Sequence, residues 1–249
     1  MTPKALILAA GRGERMRPLT DNTPKPLLAV QGQPLMAWHM DALSRGGVQQ
    51  VVVNTAWLGT QISSFFGPQR TMDERHPLSI SYLDEQQDFG GALETAGGIA
   101  RALPQLGEIF WVVAGDVYAP NFVFAPEAVE RFAASGKLAH LWLVPNPAHN
   151  LKGDFSIDAQ GIAGHQPDGS PRYTYSTIGL YHRDLFAQPW CDIAPGNPEG
   201  VKAALAPLLR AAMDNQKITA EVFHGAWTDV GTPERLAQLN NVTTDLKTP

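Results

Sequence analysis

The chain has 249 residues, 44% of them hydrophobic, enough to bury the core of one large α/β unit. Its formal net charge of -5, from 19 basic and 24 acidic residues, argues against the broad basic field of a nonspecific nucleic-acid binder. The only cysteine, Cys191, precludes an intrachain disulfide, and no stretch reaches the roughly 18 apolar residues of a membrane span, so a soluble, cytoplasmic protein is expected.

After Met1-Thr2-Pro3-Lys4, the run Ala5–Ala10 reads as a buried parallel strand, too short for a membrane helix and too close to Gly11 for a signal peptide. Residues 11–26 form a long polar loop with four cations. Pro34 opens a helix that runs to Arg45 and is closed by Gly46-Gly47. A strand follows at 50–53, a helix at 57–66, a strand at 78–83, a helix at 95–103 and a strand at 109–114. This alternation predicts a largely parallel sheet covered by helices on both sides. In such a sheet the crossovers are right-handed and ligands lie at the carboxyl ends of the strands. Gly11 and Asp116 both fall just past strand ends, so the fold brings them together.

The second half predicts a strand at 138–144, a hairpin over 153–162 and a strand at 175–181. An amphipathic helix spans 201–213, with Pro207 delaying or kinking its start. A strand at 218–223, a loop at 227–231 and a helix at 233–239 complete the chain. No repeat or long linker appears. One domain, 1–249, is expected, in two halves, 1–120 and 121–249.

Gly11-Arg12-Gly13-Glu14-Arg15-Met16-Arg17 carries three cations beside glycines directly after a strand. Such a turn can bare its N–H groups as an anion nest, or can be a solvated bend. It lacks the Gly-Lys-Ser/Thr ending of a Walker loop, and Met16 replaces the third glycine of a dinucleotide fingerprint. In Thr23-Pro24-Lys25-Pro26-Leu27, two prolines stiffen the backbone around a lysine, either to aim it or simply to make a rigid surface turn. Two acidic stations complete the set: Gly115-Asp116, and Trp227-Thr228-Asp229-Val230-Gly231-Thr232.

Read together and in this order, the four segments resemble the signature of sugar-1-phosphate nucleotidyltransferases, over Leu6 to Thr232. That resemblance implies a three-layer, Rossmann-like (GT-A-type) α/β fold with a mixed, mostly parallel central sheet, residues 1–120 forming the nucleotide-binding half and 121–249 the sugar-binding half. Within the family, the likeness runs to the branch that uridylylates N-acetylmuramate 1-phosphate in bacterial cell-wall recycling. The similar segments are Gly13–Thr20, Asn54–Gly59, Leu93–Ile99, Gly153-Asp154-Phe155 and Leu205–Arg210. The implied reaction transfers UMP from UTP to the sugar 1-phosphate.

By the same resemblance, Gly11, Arg12 and Gly13 hold the phosphates, Arg15 steadies the leaving pyrophosphate and Lys25 bridges toward the α-phosphate. Asp116 and Asp229 are implied as ligands of Mg2+, an ion that favours carboxylate, water and phosphate oxygens. Glu85 and Thr95 are candidates to read the base, with Glu94 standing where the family has glycine. Gly153 and Asp154 are candidates for the sugar. Ala114 stands where the branch carries asparagine, and Lys202 is either a phosphate contact or a solvated helix lysine. Asp88 and Asp184 are expected at the surface, and His39, His140 and His182 in packing or surface roles. The expected partners are UTP and a sugar 1-phosphate, with no nucleic acid and no membrane; the oligomeric state is left open between monomer and small homo-oligomer. The rival activities are mannose-1-phosphate guanylyltransferase and glucose-1-phosphate thymidylyltransferase, and the rival of another class is a noncatalytic nucleotide-sugar sensor.

Overall fold

The structure, a computed structural model, describes residues 3–71, 77–166 and 169–241. Met1, Thr2 and the last eight residues of the expected domain lie outside the described residues.

In chain order the strands and helices are β1 (Lys4–Ala9), β2 (Ala29–Val30), β3 (Gln33–Pro34), α1 (Leu35–Arg45), β4 (Gln50–Thr55) and α2 (Gly59–Phe66). Next come β5 (Gln69–Thr71), β6 (Pro77–Asp84), α3 (Glu85–Phe89), α4 (Glu94–Ala102), β7 (Ile109–Ala114), β8 (Val117–Tyr118) and α5 (Pro126–Ser135). The remainder is β9 (Ala139–Val144), β10 (Phe155–Ile157), β11 (Ala163–Gly164), β12 (Arg172–His182), α6 (Leu205–Asp214), β13 (Ile218–Val222), β14 (Thr228–Asp229) and α7 (Pro233–Asn241).

A mixed ten-stranded sheet runs β11-β10-β12-β7-β1-β4-β6-β5, with β9 also pairing β12 and β13 lying along β9. Its centre, β7-β1-β4-β6, is parallel, as the alternation of elements predicts. β12 runs antiparallel to β7 and β9. The period of two along a strand explains why β1 is apolar throughout. Ala5, Ile7 and Ala9 face one core with Met36, Met40, Ile62 and Phe132 from α1, α2 and α5. Leu6 faces the opposite core with Ile99, Leu209 and Met213 from α4 and α6. Helices therefore cover both faces, giving the three layers. Each fully buried large aliphatic side chain contributes on the order of 1.5–3 kcal/mol to holding them together.

Most predicted elements occur with ends shifted by a few residues. α6 begins at Leu205, four residues after the apolar pattern starts, and Pro207 sits in its first turn, where a missing N–H costs nothing. The helices α3 and α5 were not anticipated: α3 has only five residues, and α5 buries only Ala128 and Phe132. The expected loop at 227–231 instead contributes β14, which pairs with β8 immediately beyond β7. That small pairing matters because it carries Asp229 to the neighbourhood of Asp116.

Candidate active site

The carboxyl ends of β1, β4 and β7 open into a cavity of about 880 Å³, the position expected for a ligand in an open α/β sheet. Leu8, Asn54, Ala114 and Asp116 from these ends form its floor. The backbone joins there directly, with the Gly115 N–H donating to the Leu8 carbonyl at 2.8 Å. Gly11 and Asp116 thus share one cavity.

The loop after β1 is held from beneath. The Ala9 N–H donates to Asn54 Oδ1 at 3.0 Å, and the Thr20 hydroxyl donates to the Gly13 carbonyl at 2.8 Å. Gly13 adopts φ 67°, and a Cβ there would stand 3.1 Å from the Thr20 methyl, so the position demands glycine. Met16, 1% exposed, packs with Tyr118, Val230 and Leu236 and so fastens this loop to the segment carrying Asp229. Arg15 next to it lines the cavity and has no hydrogen bond or ion pair among the described residues.

Arg12 is placed differently from the expectation. Its guanidinium donates to the Thr20 carbonyl at 2.8 Å and to Asp21 at 3.1 Å, and lies over the Trp57 ring at 3.7 Å. Those three partners draw the side chain away from the cavity, whose wall includes Gly11 and Gly13 but not Arg12. Arg12 braces the loop.

Lys25, between its two prolines, is 7% exposed, and its Nζ donates to Asp116 Oδ2 at 2.6 Å. Both residues line the cavity. Asp229 approaches from β14, where the Val230 N–H donates to the Asp116 carbonyl at 3.1 Å. The Asp229 carboxylate sits behind Gly231, in the same corner as the Arg15 guanidinium, and accepts a hydrogen bond from Arg235. Its Oδ1 is buried 3.0 Å from His149 Nε2, but without an aligned hydrogen-bond donor. An orphaned carboxylate oxygen close to Asp116 fits a divalent cation that takes one or two carboxylates and otherwise water and phosphate. Asp229 is not itself among the residues lining the cavity, where Gly231 stands in front of its carboxylate. Among the described residues, no cluster of three or more acidic, histidine or cysteine side chains forms a closed metal cage.

After α3, Ala92, Glu94 and Thr95 line the cavity, Thr95 being one of the two candidates to read the base. Glu94 holds φ 60°, a left-handed conformation that suits the glycine the family pattern has at this position. Glu85 is not on the wall. It is fully buried, and its two oxygens accept from Asn54 Nδ2 and the Leu93 N–H, each at 2.8 Å. Two buried donors claim the carboxylate, so it braces the Leu93–Thr95 segment from behind. Burial is the main cause that raises the Glu85 pKa above its usual range, and the Leu93 and Asn54 hydrogen bonds oppose it. Asp88 pairs with Arg101 at the surface.

In the second half of the chain, the candidate sugar residues Gly153 and Asp154 line the wall with Phe155, and with Tyr175 and Thr177 from β12. A bulge between Tyr175 and Ile178, with Thr177 at φ 64°, accompanies the placement of both residues there. Asp154 is structurally committed: Oδ2 accepts the Tyr175 N–H at 2.8 Å and Oδ1 accepts Asn150 Nδ2 at 3.2 Å. Lys202 is exposed and does not line the cavity. The cations on this wall are Arg172 and Arg210, to which the sequence assigned no role. Arg210 lies in the segment of likeness 205–210, but one exposed arginine on a helix gives no sign of the direction it faces.

His39 is buried and its Nε2 bonds the Val117 carbonyl at 2.8 Å; burial is the main cause that lowers its pKa to about 4. His140 and His182 make local contacts with Thr219 and Glu108. None of the three lines the cavity.

A strand-end cavity with a braced glycine loop, a lysine fixed on an acid and a second acid brought up by a short strand distant in the chain defines a nucleotidyl transferase. The chain belongs to the nucleotidyl transferase family, whose model matches residues 4–245. More particularly, it is a sugar-1-phosphate nucleotidyltransferase. It is 43% identical over 241 residues to an N-acetylmuramate alpha-1-phosphate uridylyltransferase of Neisseria meningitidis, covering 94% of this chain and 96% of that one. A protein of the same description from Caulobacter vibrioides is 27% identical, with 92% of each chain covered. A crystal structure from Bacillus anthracis, described as a glucose-1-phosphate thymidylyltransferase, superimposes with a TM-score of 0.76 at 21% identity, covering 99% of this chain and 97% of that one. That likeness concerns the fold. No helix among the described residues is long and apolar enough to cross a membrane.

Proposed function

We propose that the protein transfers UMP from UTP to N-acetylmuramate 1-phosphate, giving UDP-N-acetylmuramate and pyrophosphate, as a step in recycling bacterial cell wall. The observation that carries the reading is the Lys25–Asp116 pair on the cavity floor, 2.6 Å apart, beside the glycine loop. The choice of base and sugar is supported by the two relatives described as N-acetylmuramate uridylyltransferases.

An oxygen of the sugar phosphate attacks the α-phosphorus of UTP. The new P–O bond forms as the bond to the β-phosphate bridging oxygen breaks, and the electron pair leaves with pyrophosphate. The attacking oxygen is already ionised at neutral pH, so no base is needed. The barrier lies in bringing two anions together, and charge neutralisation with alignment lowers it. Lys25, held on Asp116 and stiffened by its prolines, neutralises the reacting phosphates. Arg15, without a partner among the described residues, takes charge on the departing pyrophosphate. Gly11 and Gly13 let the backbone approach the phosphates, and Thr95 with the backbone around Ala92 faces the base. Asp116 and Asp229 would hold Mg2+, which supplies Lewis-acid polarisation of the α-phosphate when bound.

The test is pyrophosphate release with UTP, dTTP and GTP against N-acetylmuramate, N-acetylglucosamine, glucose and mannose 1-phosphates. The muramate–UTP pair is expected to win, EDTA to stop turnover, and Asp116→Ala to abolish it with the circular-dichroism spectrum unchanged. Preference for GTP with mannose 1-phosphate, or dTTP with glucose 1-phosphate, would replace the substrate reading. Full activity in EDTA would remove the metal, and absence of pyrophosphate release with every pair would favour a sensor.

A further inference from the structure

The cavity carries positive charge at two separate places. Lys25 and Arg15 serve the phosphate end. On other elements of the wall, Arg172 opens β12 and Arg210 lies on α6, and both line the same cavity. The Arg172 guanidinium donates to the backbone carbonyls of Asp154 and His165, the latter at 2.9 Å, and has no carboxylate within ion-pair distance among the described residues. Arg210 has neither a hydrogen bond nor an ion pair there. Among the described residues, two acids nearby are engaged elsewhere. Asp154 accepts from Tyr175 and Asn150, and Asp214, one turn beyond Arg210, pairs with His165 at 2.9 Å.

The same wall is apolar between these cations: Val112, Phe155, Leu205 and Leu209 line it. Arg210 is exposed and solvated while the cavity is open, so a sugar that covers it against this apolar wall is favoured when it supplies an anionic partner. The phosphate of the sugar substrate cannot be that partner, because it must lie by Lys25 to reach the α-phosphorus. A neutral hexose would leave both arginines unmatched.

We propose that Arg210 is a specificity residue that binds a carboxylate carried by the sugar ring, with Arg172, fixed by its carbonyls, adding to the positive field. The inference rests on the muramate reading, in which the lactyl ether carboxylate is the group that separates N-acetylmuramate from N-acetylglucosamine. Arg210 binds that group and takes no part in phosphoryl transfer, so its effect belongs in KM.

The experiment compares kcat and KM of the wild-type, Arg210→Met and Arg210→Lys proteins. The sugar substrates are N-acetylmuramate 1-phosphate, its lactyl amide, N-acetylglucosamine 1-phosphate and glucuronate 1-phosphate. Loss of one charge-assisted hydrogen bond corresponds to roughly 10- to 100-fold. Arg210→Met is therefore expected to shrink the preference for muramate over its amide and over N-acetylglucosamine by that factor, through KM. Arg210→Lys should recover part of it. Arg172 is left intact, because its removal would also release the Asp154 and His165 carbonyls. Equal losses on acidic and neutral sugars, or an unchanged preference in Arg210→Met, overturns the subsite while the muramate reading stands. Arg210-dependent preference for glucuronate over muramate keeps the subsite and removes the muramate reading. A wild-type preference for neutral sugars overturns both.

Discussion

Gly98→Ala sets two effects of opposite sign against each other. Gly98 lies inside α4, where alanine ordinarily stabilises a helix by about 1 kcal/mol relative to glycine. Here the added Cβ would stand 2.7 Å from Asn54 Nδ2 and 2.9 Å from Glu85 Oε1, on the hydrogen bond that joins them. Asn54 cannot simply retreat, because its Oδ1 holds the Ala9 N–H at the root of the phosphate loop. Glu85 is held in turn by the Leu93 N–H. Disrupting a buried hydrogen bond to a charged group costs about 1.5–3 kcal/mol, and overpacking a filled core about 1–3 kcal/mol. The steric and polar losses exceed the helix gain, leaving a net destabilisation of about 1–3 kcal/mol. For a chain of this size that is a fall of roughly 2–12 °C in Tm. Since the network joins the phosphate loop to the base-side segment, KM for UTP should rise with it. Thermal unfolding and UTP kinetics read both effects. The double variant Asn54→Ala/Gly98→Ala should lose less stability than the sum of the singles, because the first substitution vacates the space the second needs. A Gly98→Ala protein as stable as wild type, or more so, would refute the reasoning.

Lys25→Met keeps the apolar stem and removes the charge. Because the Asp116 side chain is 43% exposed, water can replace the lost partner, so stability should change little while kcat/KM falls about 100-fold or more; activity within threefold of wild type would take Lys25 out of the transition state. For His39, the neutral ring is the buried form, with Nε2–H donating to Val117. Its folded pKa of about 4 lies below the ordinary 6.5, so the unfolded chain takes up the proton first as pH falls. Its contribution is therefore complete above about pH 6.5 and is lost between there and about pH 4, up to roughly 3 kcal/mol. Urea unfolding across that window should show a shallower pH slope for His39→Gln, and equal slopes would show that His39 does not titrate as buried.

Much of the site was legible because its residues are local to strand ends. A continuous apolar run such as Ala5–Ala10 is buried on both faces of a parallel sheet, and the chain leaving it must turn at the sheet's carboxyl edge. That rule alone set Gly11 and Asp116 at one cavity. The Lys25 motif was readable because proline restricts backbone wherever it occurs. Side-chain direction was not readable in the same way. Arg12 and Arg15 are equally cationic in the sequence, yet Trp57, Thr20 and Asp21 capture the first and leave the second free. Glu85 looked available to a base until Asn54 and Leu93, 31 positions before and eight after it, closed around its carboxylate. Arg172 and Arg210 meet one cavity only because an antiparallel strand and a late helix pack against its wall. The sequence by itself determined the order of elements and the strand-end turns, since these follow from local periodicity and backbone stiffness. The tertiary structure alone decided which charges remain unmatched, because a charge is spent or free according to the partners that distant segments bring within hydrogen-bonding reach.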